Sequence, residues 1–546
     1  MKAADLLVRC LASEGVDALF GLPGEETLAL TDALLDSRIR FIPCRHEQGA
    51  AFMADVSGRL TGRAGVCLAT LGPGATNLVT GLADANLDRA PVVAITGQAG
   101  RDRIHKESHQ YVDIVDMLRP ITKWNTRLAV AGVIPEAVRK AFKLAEAEKP
   151  GACHLELPED VADEKVEVGV EPLAAGRARR PSPDRPALFQ AARLIDAAKD
   201  PLLFAGNGVI RGGAAPALRA FASHTGIPVA TTFMAKGAIP WDDPLSLGTI
   251  GLQLKDYVSC GFDRADLIIT AGYDPVEYAP GLWNPDRGKT IVHLDFTAAE
   301  VDAYYQPAVE VVADVREALD LLREQVTVRR DPGRSRALHD WIVSELEAGS
   351  TDAGYPLKPQ RILHDLRRVL GGGDILISDV GAHKLWVARL YQAMEPNTVI
   401  ISNGFAAMGI ALPGAIAAKL LYPDKKVVAV SGDGGFLMNC QELETAVRLG
   451  LAFVVLIFRD DGYGSIRWKQ LSRYGRESGV AFGNPDFIGL AKSFGCRGLH
   501  VRAADELIPV LGEAFAAPCP VIVEVPVDYR ENLKLTEELG RLVCPL

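Results

Sequence analysis

Residues 427–464, VVAVSGDGGFLMNCQELETAVRLGLAFVVLIFRDDGYG, constrain the chain more than any other stretch. A β-branched run at 427–430 ends in Ser431-Gly432-Asp433-Gly434-Gly435. A helical pattern follows over about 436–449, with Phe436, Leu437, Leu443, Ala446 and Val447 near one face, and Gly450 stops it. Residues 452–458 read as a buried strand, and Asp460-Asp461-Gly462 closes the unit. A right-handed crossover makes the two strands parallel. Asp433 and Asp460, 27 positions apart, then emerge at the carboxyl edge of one sheet. Two hard oxygen ligands, glycine amides and a helix N-terminus at that edge suit a divalent cation holding a diphosphate. The plainer alternative is a solvated acidic turn after each strand. A lone GDG would not exclude it, but the spaced pair inside one βαβ unit argues against it.

A length of 546 residues predicts about three domains. With 48% hydrophobic and 23% charged residues the chain has ample core. A net charge of −10 argues against a nucleic-acid surface. The basic clusters Arg177-Ala-Arg-Arg180 and Arg329-Arg330 are short and read as linker solubility, not as a nucleic-acid or membrane patch. The 9 cysteines show no CxxC pair and no metal-ligand spacing, which predicts reduced thiols. The N-terminal stretch carries Asp5, Arg9 and Glu14 through its apolar positions, so it reads as an amphipathic helix and not a signal segment. No apolar run approaches bilayer length. The expectation is a cytoplasmic protein with no membrane and no nucleic-acid partner.

Residues 1–170 alternate helix and strand: helices at 3–14, 25–35, 48–61 and 75–89, strands at 18–20, 39–43, 64–71 and 91–96. This rhythm predicts an α/β fold with parallel sheets flanked by helices. The aperiodic stretch 171–186, rich in Pro, Arg and Ala, is a linker. A second α/β domain spans 187–328, with its clearest strands at 202–206, 267–271 and 291–294. After a boundary containing a helix at 335–347, a third spans 356–530, and the tail 531–546 is short.

Five further stretches carry candidate chemistry. Glu47, in RHEQGAAFMA, sits between a strand and a helix; by itself it could be a helix-start charge. Gly72-Pro73-Gly74-Ala75-Thr76-Asn77 is a turn that lets backbone approach a ring closely. Gln110, in SHQYVD, could be a surface loop residue. Met408, in SNGFAAMGIALP, would by itself be core filler, and His383, in DVGAH, an ordinary turn histidine.

Taken together these motifs resemble the thiamine-diphosphate (ThDP) enzymes, and within them the acetolactate synthases, over nearly the whole chain. The resemblance implies a ThDP-binding fold of pyrimidine, central and diphosphate domains, in that order. It implies Mg²⁺ on Asp433, Asp460 and the Gly462 carbonyl, where relatives commonly have two asparagines in place of Arg459-Asp460. Glu47 would hydrogen-bond N1′ of the aminopyrimidine, favouring the imino tautomer that takes the C2 proton. Met408 would prop the cofactor into its V shape, an effect of proximity and orientation. Gln110 would face the substrate. Pro73, Asn77, Gly381, Ala382, His383, Gly434, Gly435 and Tyr463 would contact the cofactor. The implied reaction condenses two pyruvates to 2-acetolactate with loss of CO₂, through an enamine formed on the cofactor. The implied assembly is a homodimer or homotetramer with active sites between subunits.

The run from Ala271 to Trp283, AGYDPVEYAPGLW, is similar to the catabolic, flavin-free branch, so FAD is not expected. The rival readings are an FAD-containing acetohydroxyacid synthase, a pyruvate oxidase-like enzyme, another ThDP-dependent 2-oxo acid carboligase or decarboxylase, or a non-catalytic relative. Retention of Glu47, Asp433 and Asp460 argues against the last. Two departures stand out: Lys469, where the catabolic branch tends to have Gln, and Val380, where some relatives have Met. Lys469 could pair with a carboxylate or point to solvent, and it bears on which 2-oxo acid is accepted second.

Overall fold

The computed structural model of the chain describes residues 1–176, 178–252 and 254–544; Arg177 of the basic linker cluster lies outside them. It contains three parallel six-stranded sheets flanked by helices. The strands read as near-continuous apolar runs because both faces of such a sheet are covered. Val92–Gln98, Ala152–Pro158 and Leu267–Ala271 are buried at every position.

The first sheet contains β1 (Ala18–Gly21), β2 (Arg40–Pro43), β3 (Gly65–Ala69), β4 (Val92–Gln98), β5 (Trp124–Arg127) and β6 (Ala152–Pro158), in the order β2-β1-β3-β4-β6-β5. The second contains β7 (Pro201–Ala205), β8 (Val229–Thr231), β9 (Ser246–Thr249), β10 (Leu267–Ala271), β11 (Thr290–Asp295) and β12 (Val309–Val312). Its order, β12-β11-β10-β7-β8-β9, is that of a dinucleotide-type doubly wound sheet. The third contains β13 (Ile375–Ser378), β14 (Val399–Ile401), β15 (Val427–Gly432), β16 (Val454–Arg459), β17 (Arg497–His500) and β18 (Val521–Pro526). Its order, β14-β13-β15-β16-β18-β17, repeats that of the first sheet strand for strand. In each sheet the chain reverses past its first strand to continue on the other side, and ligands of open α/β sheets bind at the carboxyl ends of the strands flanking that reversal point. In the third sheet those strands are β13 and β15, whose carboxyl ends lead into Gly381–His383 and Gly432–Gly435.

The chain divides into two compact units. One holds residues 1–179, 404–423 and 438–451, with the first sheet; the other holds 180–403, 424–437 and 452–546, with the second and third sheets. In the first unit the helix Glu47–Thr61 is buried along most of its length and packs against the helix Ala411–Leu421. It starts where the His46 side chain accepts the Gln48 N–H and stops at Gly62, whose φ of 65° is left-handed. In the second unit Phe204, Phe262, Tyr273, Trp283 and Tyr305 form one aromatic cluster, with ring centroids 4.9 Å apart for Phe204 and Tyr273.

The structure corrects three expectations and adds a helix in the tail. The helix read over 436–449 is two pieces, Asp433–Phe436 and Glu442–Arg448, because Asn439 between them turns its amide onto the Gly409 carbonyl (2.8 Å). The helix read over 75–89 breaks at Leu78 into Pro73–Asn77 and Val79–Leu87. The tail contains an amphipathic helix, Arg530–Gly540, burying Leu535 and Leu539. Cys260 and Cys544 form a disulfide across a separation of 284 residues, while the other cysteines are free thiols. No short-range spacing could reveal that pair.

At the reversal point of the second sheet, between β7 and β10, a buried carboxylate fills the crevice. Glu277 accepts the Asn207 N–H at 3.0 Å and the Thr232 hydroxyl at 2.5 Å. The walls are main chain: a side chain on Gly208 would place its Cβ 2.5 Å from the Gly272 Cα. Burial pushes the Glu277 carboxyl from 4.5 up to about 8. A raised folded-state value means its contribution to stability is intact below about pH 4.5 and lost as pH rises through about 8. Glu277→Gln, which cannot ionise, should therefore lose less melting temperature than the parent between about pH 6 and 9. The difference should be on the order of 3 kcal/mol at the alkaline end, read by thermal unfolding across a pH series.

Candidate functional site

The predicted site residues fall into two groups, one in each unit. In the first unit, Glu47 opens the helix Glu47–Thr61 and is 7% exposed. Its Oε2 accepts the Asn77 side-chain amide at 2.9 Å. Its Oε1 lies 3.3 Å from where a Cβ on Gly74 would sit, so a glycine there keeps the carboxylate accessible from the turn. Pro73 and Asn77 are exposed on that turn. Gln110 is exposed, holds a left-handed φ of 57°, and lays its carbonyl against Gly72, where any Cβ would meet it at 2.4 Å. The turn and Gln110 are thus packed together. Met408 is half-buried.

Two features behind these residues escaped the sequence reading. Glu442 is fully buried and accepts the main-chain N–H groups of Arg45 at 3.1 Å and His46 at 3.0 Å, the two residues before Glu47. Gly49 makes room for it, since a Cβ there would lie 2.7 Å from Glu442 Oε1. The second feature is a buried ion cluster. Arg59 meets Asp55 at 2.6 Å, Asp84 at 3.1 Å and Asp88 at 2.9 Å, with all four side chains at most 7% exposed. Asp88 in turn accepts the Gly404 N–H, and Asp84 the Ala407 N–H at 3.3 Å. The loop that presents Met408 is therefore fixed by carboxylates from the helix Val79–Leu87 and its C-terminus. Ala406 within it holds a left-handed φ of 59°. Glu442 lies in the run ELETAVRL of the stretch 427–464, where nothing local marks its long-range partners.

In the second unit, Asp433 and Asp460 converge as the βαβ geometry predicts. Asp433 Oδ2 accepts the N–H groups of Asp460 (3.2 Å) and Asp461 (2.7 Å) and the Asn484 amide (2.8 Å), and Oδ1 accepts the Gly434 N–H (2.8 Å). Burial raises the Asp433 carboxyl, and burial together with the Asp433 charge lifts Asp460 to about 7. Arg467 holds Asp460 at 3.1 Å. Asp461 takes a left-handed φ of 53° to make the turn. The Gly462 carbonyl accepts the Gly464 N–H at 3.0 Å and keeps a second lone pair. Tyr463 is half exposed and packs on Phe482, its ring 3.1 Å from a Cβ on Gly434. Gly435 clears the Asp379 carboxylate, which a Cβ would meet at 2.8 Å.

Gly381 and Ala382 lead into the helix Ala382–Leu390 beside these carboxylates, and His383 in its first turn is 2% exposed. Burial holds the His383 imidazole down to about 3, so it is neutral, and its Nε2 has no partner. Among the described residues no cluster of three His, Cys, Asp or Glu side chains forms a metal cage. Two carboxylates and one carbonyl suit a hard cation that takes its remaining ligands from a diphosphate and water. Lys469 is exposed on the helix Gly464–Tyr474, and Val380 is half-buried with its N–H on Asp379.

Known proteins resemble this chain along its length. The family described as thiamine pyrophosphate enzyme, N-terminal TPP binding domain, matches residues 1–117; the central domain of that family matches 188–322, and its C-terminal TPP binding domain 379–525. The chain is 38% identical to the acetolactate synthase of Bacillus subtilis, over 99% of the chain and 97% of that protein. It is 37% identical to the catabolic acetolactate synthase of Raoultella terrigena, over 98% of the chain and 97% of that protein. It is 36% identical to the acetolactate synthase large subunit of Corynebacterium glutamicum, over 94% of the chain and 84% of that protein.

Removing the Glu442 carboxylate strands two main-chain donors in a buried setting, at about 1–3 kcal/mol each. Glu442→Ala should lower the melting temperature by several degrees and speed tryptic cleavage after the exposed Arg45, read by mass spectrometry of timed digests.

Proposed function

We propose how a chain that belongs to the thiamine pyrophosphate enzymes, and among them to the acetolactate synthases, uses these residues: it condenses two pyruvates to 2-acetolactate with release of CO₂. The observation that carries the reading is Glu47, a buried carboxylate at a glycine turn with an amide partner, in a chain that matches acetolactate synthases from end to end. When bound, thiamine diphosphate supplies a thiazolium that serves as the electron sink for decarboxylation.

Glu47 holds the proton at N1′ of the aminopyrimidine, and Asn77 fixes the rotamer that lets it do so. Asp433, Asp460 and the Gly462 carbonyl take Mg²⁺, and the cation relieves the repulsion between the two carboxylates. The amides at Gly381–His383 and the partnerless His383 Nε2 receive the diphosphate. Gly434, Gly435 and Tyr463 line the same edge. Met408 would rest against the cofactor, and its loop is rigid because Asp84 and Asp88 hold the amides before it. Gln110 offers its amide to the carbonyl of a 2-oxo acid, binding and orienting it.

The central sheet has the order of a dinucleotide-binding domain, yet Glu277 stands at its reversal point on the amides a pyrophosphate would use. That buried acid supports a flavin-free enzyme. We also propose a cytoplasmic homodimer or homotetramer; among the described residues no helix is long and apolar enough to cross a membrane.

The test is product analysis of the purified protein with pyruvate, Mg²⁺ and ThDP. Acetolactate should be the main product, the preparation should be colourless, and added FAD should change nothing. Acetaldehyde or acetate as main product would overturn the reading. Glu47→Gln should cut acetolactate formation by about 10²–10⁴-fold with an unchanged circular dichroism spectrum. Competition between pyruvate and 2-oxobutyrate would rank the acceptors at the site that Lys469 borders in sequence.

A further inference from the structure

We propose that the Tyr529 hydroxyl is a diphosphate-binding group, donating its O–H to a phosphate oxygen of the cofactor. This rests on the reading of Asp433 and Asp460 as the metal–diphosphate site. Tyr529 follows β18, which pairs directly with β16, so it emerges at the same carboxyl edge as Asp460. It is the residue before the helix Arg530–Gly540, which fixes its backbone.

The ring lies against Gly464. A Cβ on Gly464 would sit 2.9 Å from Asp460 Oδ2 and 3.2 Å from the Tyr529 ring, so the glycine lets the carboxylate and the phenol stand side by side. The phenol oxygen is out of contact with solvent and has no hydrogen-bond partner. Buried hydroxyls are nearly always satisfied, and one left alone costs free energy. Of the groups around it, Asp460 and Asp433 are the charges that act on it, and the main-chain N–H of His383 is directed at the phenol oxygen, so what is missing is an acceptor for the O–H. The neighbouring His383 Nε2 and, at Asp433, the Asn484 Oδ1 also lack partners.

An unpartnered buried phenol and a helix-start amide, beside a carboxylate pair that suits a cation, describe a missing acceptor. A cation would not satisfy a neutral O–H and an N–H. An anionic oxygen bridging the cation and these donors would. A diphosphate held by Mg²⁺ carries such oxygens. The residue lies beyond the segment 379–525 that matches the C-terminal TPP binding domain, and it stands in the stretch ValAspTyrArgGluAsn.

Tyr529→Phe removes the hydroxyl and keeps the ring contact with Gly464. Calorimetric titration with ThDP at saturating Mg²⁺ should show Kd raised about 5–30-fold, and magnesium diphosphate alone should weaken by the same factor. The melting temperature without cofactor should be unchanged or higher, because an unsatisfied hydroxyl has gone, while the rise produced by ThDP shrinks. A purely structural role would lower both. Wild-type Kd in Tyr529→Phe, with Asp433→Ala no longer binding, overturns the inference alone. Asp433→Ala that binds ThDP as tightly as the parent overturns the reading of the site and the inference with it.

Discussion

The Asp433 carboxylate accepts hydrogen bonds from the main chain of Gly434, Asp460 and Asp461 and from the side chain of Asn484. These donors come from three separate segments, so one side chain sets the shape of the turn after β15, the turn after β16 and the loop near residue 484. Without it the Asp461 turn, already in a left-handed conformation, would have nothing to hold its amide. The same oxygens are the ones a cation would use. A cation there would compete with the amide donors at a carboxylate whose position is already fixed, and Arg467 would have to yield at Asp460.

The arrangement at Asp433 recurs. Glu442 takes the amides of Arg45 and His46, just before Glu47. Asp88 and Asp84 take those of Gly404 and Ala407, just before Met408. Glu277 takes that of Asn207 at the reversal point of the central sheet. In each case a buried carboxylate from a distant segment satisfies main-chain donors in a loop that has no sheet or helix partner for them. Where the acid is ionised, charge-assisted bonds of this kind are stronger than neutral ones, which suits loops that must stay still. The cost is desolvation, visible in the raised carboxyl groups of Glu442, Asp433 and Glu277.

Much of this was legible in the amino-acid sequence, and the limits have physical causes. β10 was read residue for residue, because a β-branched run flanked by turn residues has one plausible conformation. The convergence of Asp433 and Asp460 followed from βαβ handedness alone. The helix over 436–449 was read as continuous because periodicity survives a break: Leu443 and Ala446 still face the core, while Asn439 leaves the helix to reach Gly409. The strand order of the central sheet, the Cys260–Cys544 pair and the partners of Glu442 are tertiary facts without a local signature. Tyr529 had a weak signal, a polar aromatic after a strand and before a helix, but its significance lies in a hydroxyl with no partner. The helix that follows it could have been found from the spacing of Leu535 and Leu539.

The division of the chain also governs the order in which it can be built. The first unit contains residues 1–179, but also 404–423 and 438–451, with the second unit's residues interposed. The helix Glu47–Thr61 leaves the ribosome early, yet its packing partner Ala411–Leu421 and the acceptor Glu442 arrive only after the central sheet has been synthesised. The N-terminal sheet must then persist during translation with Arg45 and His46 lacking their acceptor and one helix face uncovered. Completion of that unit is tied to synthesis of almost the entire polypeptide, so a stalled or truncated product ending after the central sheet presents an apolar surface to chaperones and proteases.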